Sequence, residues 1–247
     1  MKNFMKVKRK KSLSTQGFTL IELLVGMVVS LLAMGAIYST FLSQFKSYQI
    51  QEEIAAMQQN IRAAMFYMQR EIRMAGCDPF NNSVTLPNQD PIPTSKRLIV
   101  YPINQIIEAN STSVVFMEDV NPPDGDVDDP NEIIGYSLNG GNLVRNTGGG
   151  DQAVAENIDA IDFVYLDGAS PPNVLNPNRT NVAAGNLSII RSVEITIVAR
   201  INRGVLPTVN SNTYLNQQGI QILGPQNDNL SRRRLTTFIK CRNLGLN

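Results

Sequence analysis

Between Phe18 and Tyr38 the chain reads FTLIELLVGMVVSLLAMGAIY, 21 residues with one charged side chain, Glu22. As a helix rising 1.5 Å per residue, this run covers about 30 Å, enough to cross the hydrocarbon core of a bilayer. Six basic residues, Lys2, Lys6, Lys8, Arg9, Lys10 and Lys11, precede it without an acid among them. The positive side stays cytoplasmic, so everything after Tyr38 is expected outside. A secretory signal has a shorter apolar core followed by a small-residue cleavage site, and it is discarded whole. Here the basic segment comes first and the apolar run continues into the rest of the protein.

Charge has to be read by position. The formal net charge is +1, but taking the six leader cations from the 22 basic residues leaves 16 against 21 acids, a net of −5. The cationic end is therefore a targeting feature, and the remainder offers no basic patch of the kind nucleic acid requires. The run Arg232-Arg233-Arg234 is too short to change that. The absence of histidine removes His-based triads, imidazole acid–base steps and the commonest zinc sets. With no clustered nucleophile, base or phosphate loop visible, a non-enzymatic protein is expected.

The helical pattern does not stop at Tyr38, because no proline occurs between Phe18 and Asp78. Ile54, Met57, Ile61, Met65, Met68 and Ile72 recur three or four residues apart on one stripe, with Glu52, Glu53, Gln59, Arg62, Gln69 and Arg73 mostly elsewhere. The stripe is expected to pack on the protein's own globular region, and Phe41 to Tyr48 to serve contacts between subunits. Gly76, Asp78 and Pro79 end the helix. Three segments follow: a leader over 1–17, a helix over 18–76 with a membrane half (18–38) and an amphipathic half (39–76), and a head over 77–247.

The head reads as β-rich. Residues 80–95 are expected to be an extended surface loop, and 167–188 and 202–231 to be long polar loops. Strand patterns fall at Arg97 to Tyr101, Ser113 to Met117, Ile133 to Leu138, Asn142 to Arg145, Ile161 to Leu166, Ser192 to Ile201 and Leu235 to Cys241. Asn139-Gly140-Gly141 between two of them is a hairpin signal. The fold class expected is α+β, a long N-terminal helix packed on a mainly antiparallel head. Two cysteines, Cys77 and Cys241, bracket the head, and an even count in an exported protein favours one disulfide over two buried free thiols. Asp124, Asp126 and Asp128 alternate in an acidic stretch from Glu118 to Glu132. Oxygen ligands so spaced can wrap calcium, but Gly135 stands where an EF-hand places its bidentate Glu, so a solvated acidic loop without a cofactor is expected in preference to a calcium site.

The string Lys10-Lys11-Ser12-Leu13-Ser14-Thr15-Gln16-Gly17-Phe18-Thr19-Leu20-Ile21-Glu22-Leu23-Leu24 resembles the cleavage site of type IV prepilins. The resemblance implies that a prepilin peptidase cuts after Gly17, that Phe18 becomes an N-methylated amino terminus, and that Glu22 neutralises the amine of a neighbouring subunit. The head resembles, more loosely, minor pilins of the PilW type. That likeness rests on Arg70-Glu71-Ile72-Arg73-Met74-Ala75-Gly76-Cys77, on Asp128-Asp129-Pro130-Asn131-Glu132 leading into Ile134-Gly135-Tyr136-Ser137-Leu138, on Glu156-Asn157-Ile158 to Tyr165, and on Cys241-Arg242-Asn243-Leu244. Type II secretion pseudopilins of the GspJ type share the plan.

What the resemblance implies is a low-copy subunit, held in the inner membrane with its head in the periplasm and then built into a type IV pilus near its tip. Its partners would be the prepilin peptidase, the major pilin, other minor pilins and the inner-membrane assembly platform. The proline near Ser39 expected of a major pilin is missing, which argues against a bulk subunit. A membrane-anchored adhesin borrowing the pilin helix is the reading from another class.

Overall fold

The computed structural model describes residues 17–80, 83–88, 97–102, 106–120, 122–127, 129–202 and 208–245. The basic leader before Gly17 lies outside them. The chain divides into two compact units, residues 1–48 and 49–247.

In the first unit α1 (Leu20–Met74, 55 residues) begins, and it carries the apolar run without a break. It is long and apolar enough to cross a membrane. Three hydroxyls in this part bond the helix itself: Ser30 Oγ donates to the Gly26 carbonyl at 2.7 Å, and Ser39 Oγ and Thr40 Oγ1 donate to that of Ala36, each at 2.9 Å. A polar side chain so occupied adds little cost to a surface facing lipid.

In the second unit α1 buries one stripe, Met57, Ile61, Ala64, Met65, Met68 and Ile72. Ala64, Met68 and Ile72 are wholly inaccessible, and the stripe enters the main core cluster with Phe116, Tyr136, Phe163, Tyr165, Ile195 and Ile239. The helix stops where Gly76 takes the left-handed conformation, φ 75°, that a side chain disfavours. Its orphaned carbonyls are answered from distant parts of the chain. Arg242 N donates to Arg73 O and Asn243 Nδ2 donates to Met74 O, each at 3.0 Å, while Gly76 N donates to Met117 O at 2.8 Å. The helix end is thus clamped between a strand end and the C-terminal tail.

Five strands form a meander in which every neighbour is antiparallel: β3 (Ile106–Ala109), β4 (Ser113–Met117), β5 (Ile133–Asn139), β6 (Asn142–Asn146) and β7 (Asp151–Ala155). The β5–β6 turn has Gly140 at φ 58° and Gly141 at φ 79°, the doubly left-handed turn whose twist matches a tight hairpin. A second sheet has the order β12 (Arg232–Lys240), β9 (Ser192–Arg200), β8 (Ile158–Leu166), also antiparallel. Arg232, the first of the three consecutive arginines, is buried. It bonds Asp228 through Nη1 and Nη2, each at 2.6 Å, and it also pairs with Asp159. That part of the basic run is a clasp within the head.

The fold class is the one expected, a long apolar helix whose second part packs on antiparallel sheets. The loops were read too generously. Within 80–95, β1 (Ser83–Asn88) pairs with β2 (Arg97–Pro102) in a hairpin, and within 202–231, β10 (Tyr214–Leu215) pairs with β11 (Gln221–Leu223). Proline hides the first of these, because Pro87 argues against a strand and is tolerated in a two-stranded hairpin where each strand is an edge. Strands β3 and β7 were also missed, and β8 and β12 start three residues earlier than the pattern indicates. The stretch 167–188 forms no named strand: it has an isolated bridge from Val174 to Leu166 and short 3-10 turns at Pro177–Arg179 and Ala184–Ile189, the second running one residue beyond it.

Replacing Met68 by Ala is expected to lower the unfolding free energy of the head by about 2–5 kcal/mol through lost burial and the cavity left behind. Phe66→Ala, on the exposed side of the same turn, is expected to change it by less than about 0.5 kcal/mol. Denaturant titration of the detergent-solubilised chain followed by circular dichroism separates the two.

Candidate functional site

The start of α1 is the first candidate site. Thr19 and Glu22 cap the helix reciprocally. Glu22 N donates to Thr19 Oγ1 at 3.3 Å, while Thr19 N and Thr19 Oγ1 donate to Glu22 Oε2 at 3.0 and 2.9 Å. This is a capping box, in which the side chains at the cap and three residues later satisfy each other's backbone N–H. The carboxylate also lies at the positive end of the helix dipole. Phe18 beside it is 89% exposed, and a Cβ built on Gly17 would meet no atom within 4 Å. The fold of this chain therefore gives no packing reason for glycine at position 17.

A second constellation lies where the helix ends. Glu71 accepts from Arg145 Nε at 3.1 and 3.0 Å and pairs with Arg145 Nη2 at 3.0 Å, and it also accepts from the Tyr136 hydroxyl. Burial and then the Glu71 contact push the Tyr136 phenol well above its ordinary range. Glu118, at the end of β4, is 7% exposed, and its Oε2 has no hydrogen-bond partner. Burial first and the negative charge of Glu71 next push its carboxyl up to about 7, against the pull of Arg145 and Arg70.

The acidic loop is organised from within. The buried Asp119 accepts from Asp124 N at 3.1 Å and Gly125 N at 2.9 Å, and Asp126 N donates to Asp124 Oδ1 at 3.4 Å. Asp128, the third residue of the alternating set, lies outside the described residues. Among the described residues no group of three or more carboxylate, thiol or imidazole side chains is gathered to hold a metal ion.

The disulfide expected between Cys77 and Cys241 is not formed in this structure, where both are free thiols. Their surroundings differ. Cys241 belongs to the hydrophobic core and burial pushes its thiol up to about 12, whereas Cys77 is half-buried and is raised by burial and then by Glu118, Asp119 and Asp78. A thiol held so firmly protonated is a poor nucleophile for forming the bond.

Gly17, Phe18 and Glu22 thus adjoin one another, while Cys77, Cys241 and the acidic loop gather near the other end of the helix. Three residues of these two constellations are not picked out by the sequence. Thr19 was legible in the Thr-x-x-Glu spacing, but Glu22 drew notice for its depth in the membrane and not for its place three residues after a cap. Glu71 and Arg145 stand 74 residues apart, and no local signal joins them.

Comparison with known proteins gives four findings. Residues 13–38 match the prokaryotic N-terminal methylation motif, and residues 50–216 match the family described as prepilin peptidase-dependent protein B. A solved type IV-like pilin from Thermus thermophilus aligns over 76% of this chain and 98% of its own, at 15% identity and a TM-score of 0.42. No curated protein matches the chain.

Glu118 gives the head a pH signature. The folded carboxyl keeps its proton to about 7 and the unfolded one loses it near 4.5, so the native state binds more protons between those values. Stability is expected to fall as pH rises through that window, by about 3 kcal/mol from this group. Chemical denaturation at about pH 5 and about pH 8 should show the loss in the parent and a clearly smaller loss in Glu118→Gln.

Proposed function

We propose, from the premise that the chain belongs to the prepilin peptidase-dependent protein B family, that it is a minor pilin of the PilW type, processed between Gly17 and Phe18 and acting in the initiation and assembly of a type IV pilus near its tip. The observation that carries this reading is one short stretch: Gly17-Phe18, then the Thr19–Glu22 capping box, then a helix of membrane length, all inside the methylation motif.

Glycine at position 17 is unexplained by packing in this chain, so its role belongs to the encounter with the peptidase, where a backbone without a side chain can be approached closely. Hydrolysis of the Gly17–Phe18 peptide frees an α-amine on Phe18 that is protonated near neutral pH, and N-methylation keeps it basic. In the membrane-held subunit the Glu22 carboxylate is stabilised by Thr19 and the helix dipole, which lowers the cost of a charge at that depth. On assembly the same carboxylate meets the Phe18 amine of the adjoining subunit. A subunit docked at the wrong height leaves both charges unpaired in a low dielectric, so the pair selects register while the apolar helices supply contact area. The head has no part in this step, and no enzymatic role is proposed for it.

A GspJ-type pseudopilin would be processed in the same way, so the test has two parts. Mass spectrometry of the chain from the membrane should find a mature terminus at N-methylated Phe18, and Gly17→Leu should leave the leader attached. Deleting the gene should then abolish pili while exoprotein release continues. Lost secretion with intact pili would move the assignment to the pseudopilin, and a mature chain starting elsewhere would end both readings.

A further inference from the structure

We infer that the pocket on the outer face of β8, between the turn at Pro177–Arg179 and the turn that joins β10 to β11, binds one ring of a neutral sugar. The inference concerns the head alone and holds whichever filament the chain enters.

Alternation along β8 makes the site. Ile161, Phe163 and Tyr165 turn into the core shared with α1, so Asp162 and Val164 turn to the other side of the sheet. A carboxylate buried there needs partners, and two segments supply them. Arg179 Nε donates to Asp162 Oδ1 at 2.7 Å, and Asn216 Nδ2 donates to Asp162 Oδ2 at 2.9 Å. Asn176 ties the first segment to the strand, its Oδ1 accepting from Tyr165 N at 2.9 Å and its Nδ2 donating to Phe163 O at 2.8 Å. Asn216 closes the second on itself by accepting from Gln218 N at 3.0 Å and Ile220 N at 2.9 Å. The space left between the two segments is about 160 Å³. A cavity of about 150 Å³ holds a benzene ring, so one six-membered ring fits here with its substituents directed to the rim.

The backbone is held in an unusual shape to present this wall. Asn178 and Arg179 are left-handed in succession, φ 56° and 60°. Asparagine accepts that conformation readily and arginine does not, and strain of this kind collects at ligand sites. The Asn178 amide and the Arg179 Nη groups make no hydrogen bond among the described residues, although both side chains line the pocket.

Chemistry selects the occupant. The charges of Arg179 and Asp162 cancel, and Glu194 stands beside Val164 in the sheet, where it accepts from Gln218 Nε2 at 2.7 Å. An anion at Arg179 therefore meets two carboxylates, and a cation at Asp162 meets the guanidinium. A neutral ligand avoids both conflicts. Guanidinium N–H groups, an amide and the remaining lone pairs of Asp162 set donors beside acceptors, and a hydroxyl answers both. Val164, Val174, Pro177 and Ile220 give the same pocket apolar walls for C–H groups. A sugar ring carries hydroxyls around its edge and C–H groups on its faces, which is the combination this lining matches.

The experiment titrates the full-length chain, held in a detergent without a sugar headgroup, with the methyl glycosides of glucose, galactose and mannose. Glucuronate and glucosamine serve as the negatively and positively charged counterparts, and saturation-transfer NMR reads the binding. At least one neutral glycoside is expected to bind with a millimolar Kd, the strength that roughly a dozen non-hydrogen atoms give at ordinary ligand efficiency. Both charged sugars are expected to bind more weakly than it does. Asn178→Gly removes the amide at a position where glycine suits the backbone, so the thermal midpoint should hold or rise while the Kd weakens about tenfold. Arg179→Lys keeps a positive charge beside Asp162 and loses the guanidinium fork, and it should weaken the same glycoside. No binding of any neutral glycoside up to about 50 mM, far above the expected Kd, would overturn the site. Unchanged affinity in both variants would do the same, and tighter binding of either charged sugar would overturn the assignment to a neutral ligand.

Discussion

A carboxylate at the start of a helix long and apolar enough to cross a membrane is costly to place in lipid, and the Thr19–Glu22 capping box lowers that cost. Two donors from Thr19 converge on one Glu22 oxygen, and the helix dipole adds to them. The same bonds fix where the helix begins and so which residues fall within the membrane span. They also hold the carboxylate against Thr19 N, one residue beyond the Gly17–Phe18 bond at which cleavage is proposed. The proposed assembly step is then an exchange of partners, from a hydroxyl and an amide on the same chain to an amine on the next.

The helix that starts there has to serve two surroundings. Up to Tyr48 its side chains are exposed in the isolated chain, as a surface meant for lipid or for other helices must be. From Met57 onward it gives one stripe to the head and keeps the other free. The clamp at Gly76, with Met117 and the Arg242–Asn243 tail satisfying the last turn, secures the helix to the head without using the free side. Glu71, Arg145 and Tyr136 add polar contacts near the same end, and they leave Glu118 buried with an unanswered oxygen. A site of that kind is expected to make the head's stability depend on pH, apart from the chemistry proposed at Phe18.

What the sequence made legible follows from which interactions are local. The helix and its buried stripe were readable because helical spacing repeats over several turns, and the β5–β6 hairpin because Asn-Gly-Gly permits few turns besides one. Strand β1 was not readable, since Pro87 belongs to a turn in most settings and is accommodated here only by a two-stranded hairpin. The β10–β11 ribbon is short and polar, and its pairing depends on the sheet it lies against, with Tyr214, Ile222 and Leu223 packing on Ala160 and Val198. At the site, Gly17, Phe18 and Glu22 stood out as residue types in order. Thr19 did not, because threonine in an apolar helix attracts no notice until the carboxylate three residues on is seen to need a donor. The clamp and the Glu71–Arg145 pair are tertiary, and no window along the chain contains both partners.

Glutamine at position 22 separates the two duties assigned to Glu22, because an amide oxygen can still accept from Thr19 while the negative charge is gone. The decisive measurement is the amount of processed Glu22→Gln subunit in filaments sheared from cells, set against parent and Glu22→Ala at equal membrane levels. The account predicts that Glu22→Gln is excluded from filaments as thoroughly as Glu22→Ala, although both are cleaved before Phe18 and retained in the membrane. Incorporation of Glu22→Gln at the parent's level would show that capping alone suffices and that no amine on a neighbour is being answered.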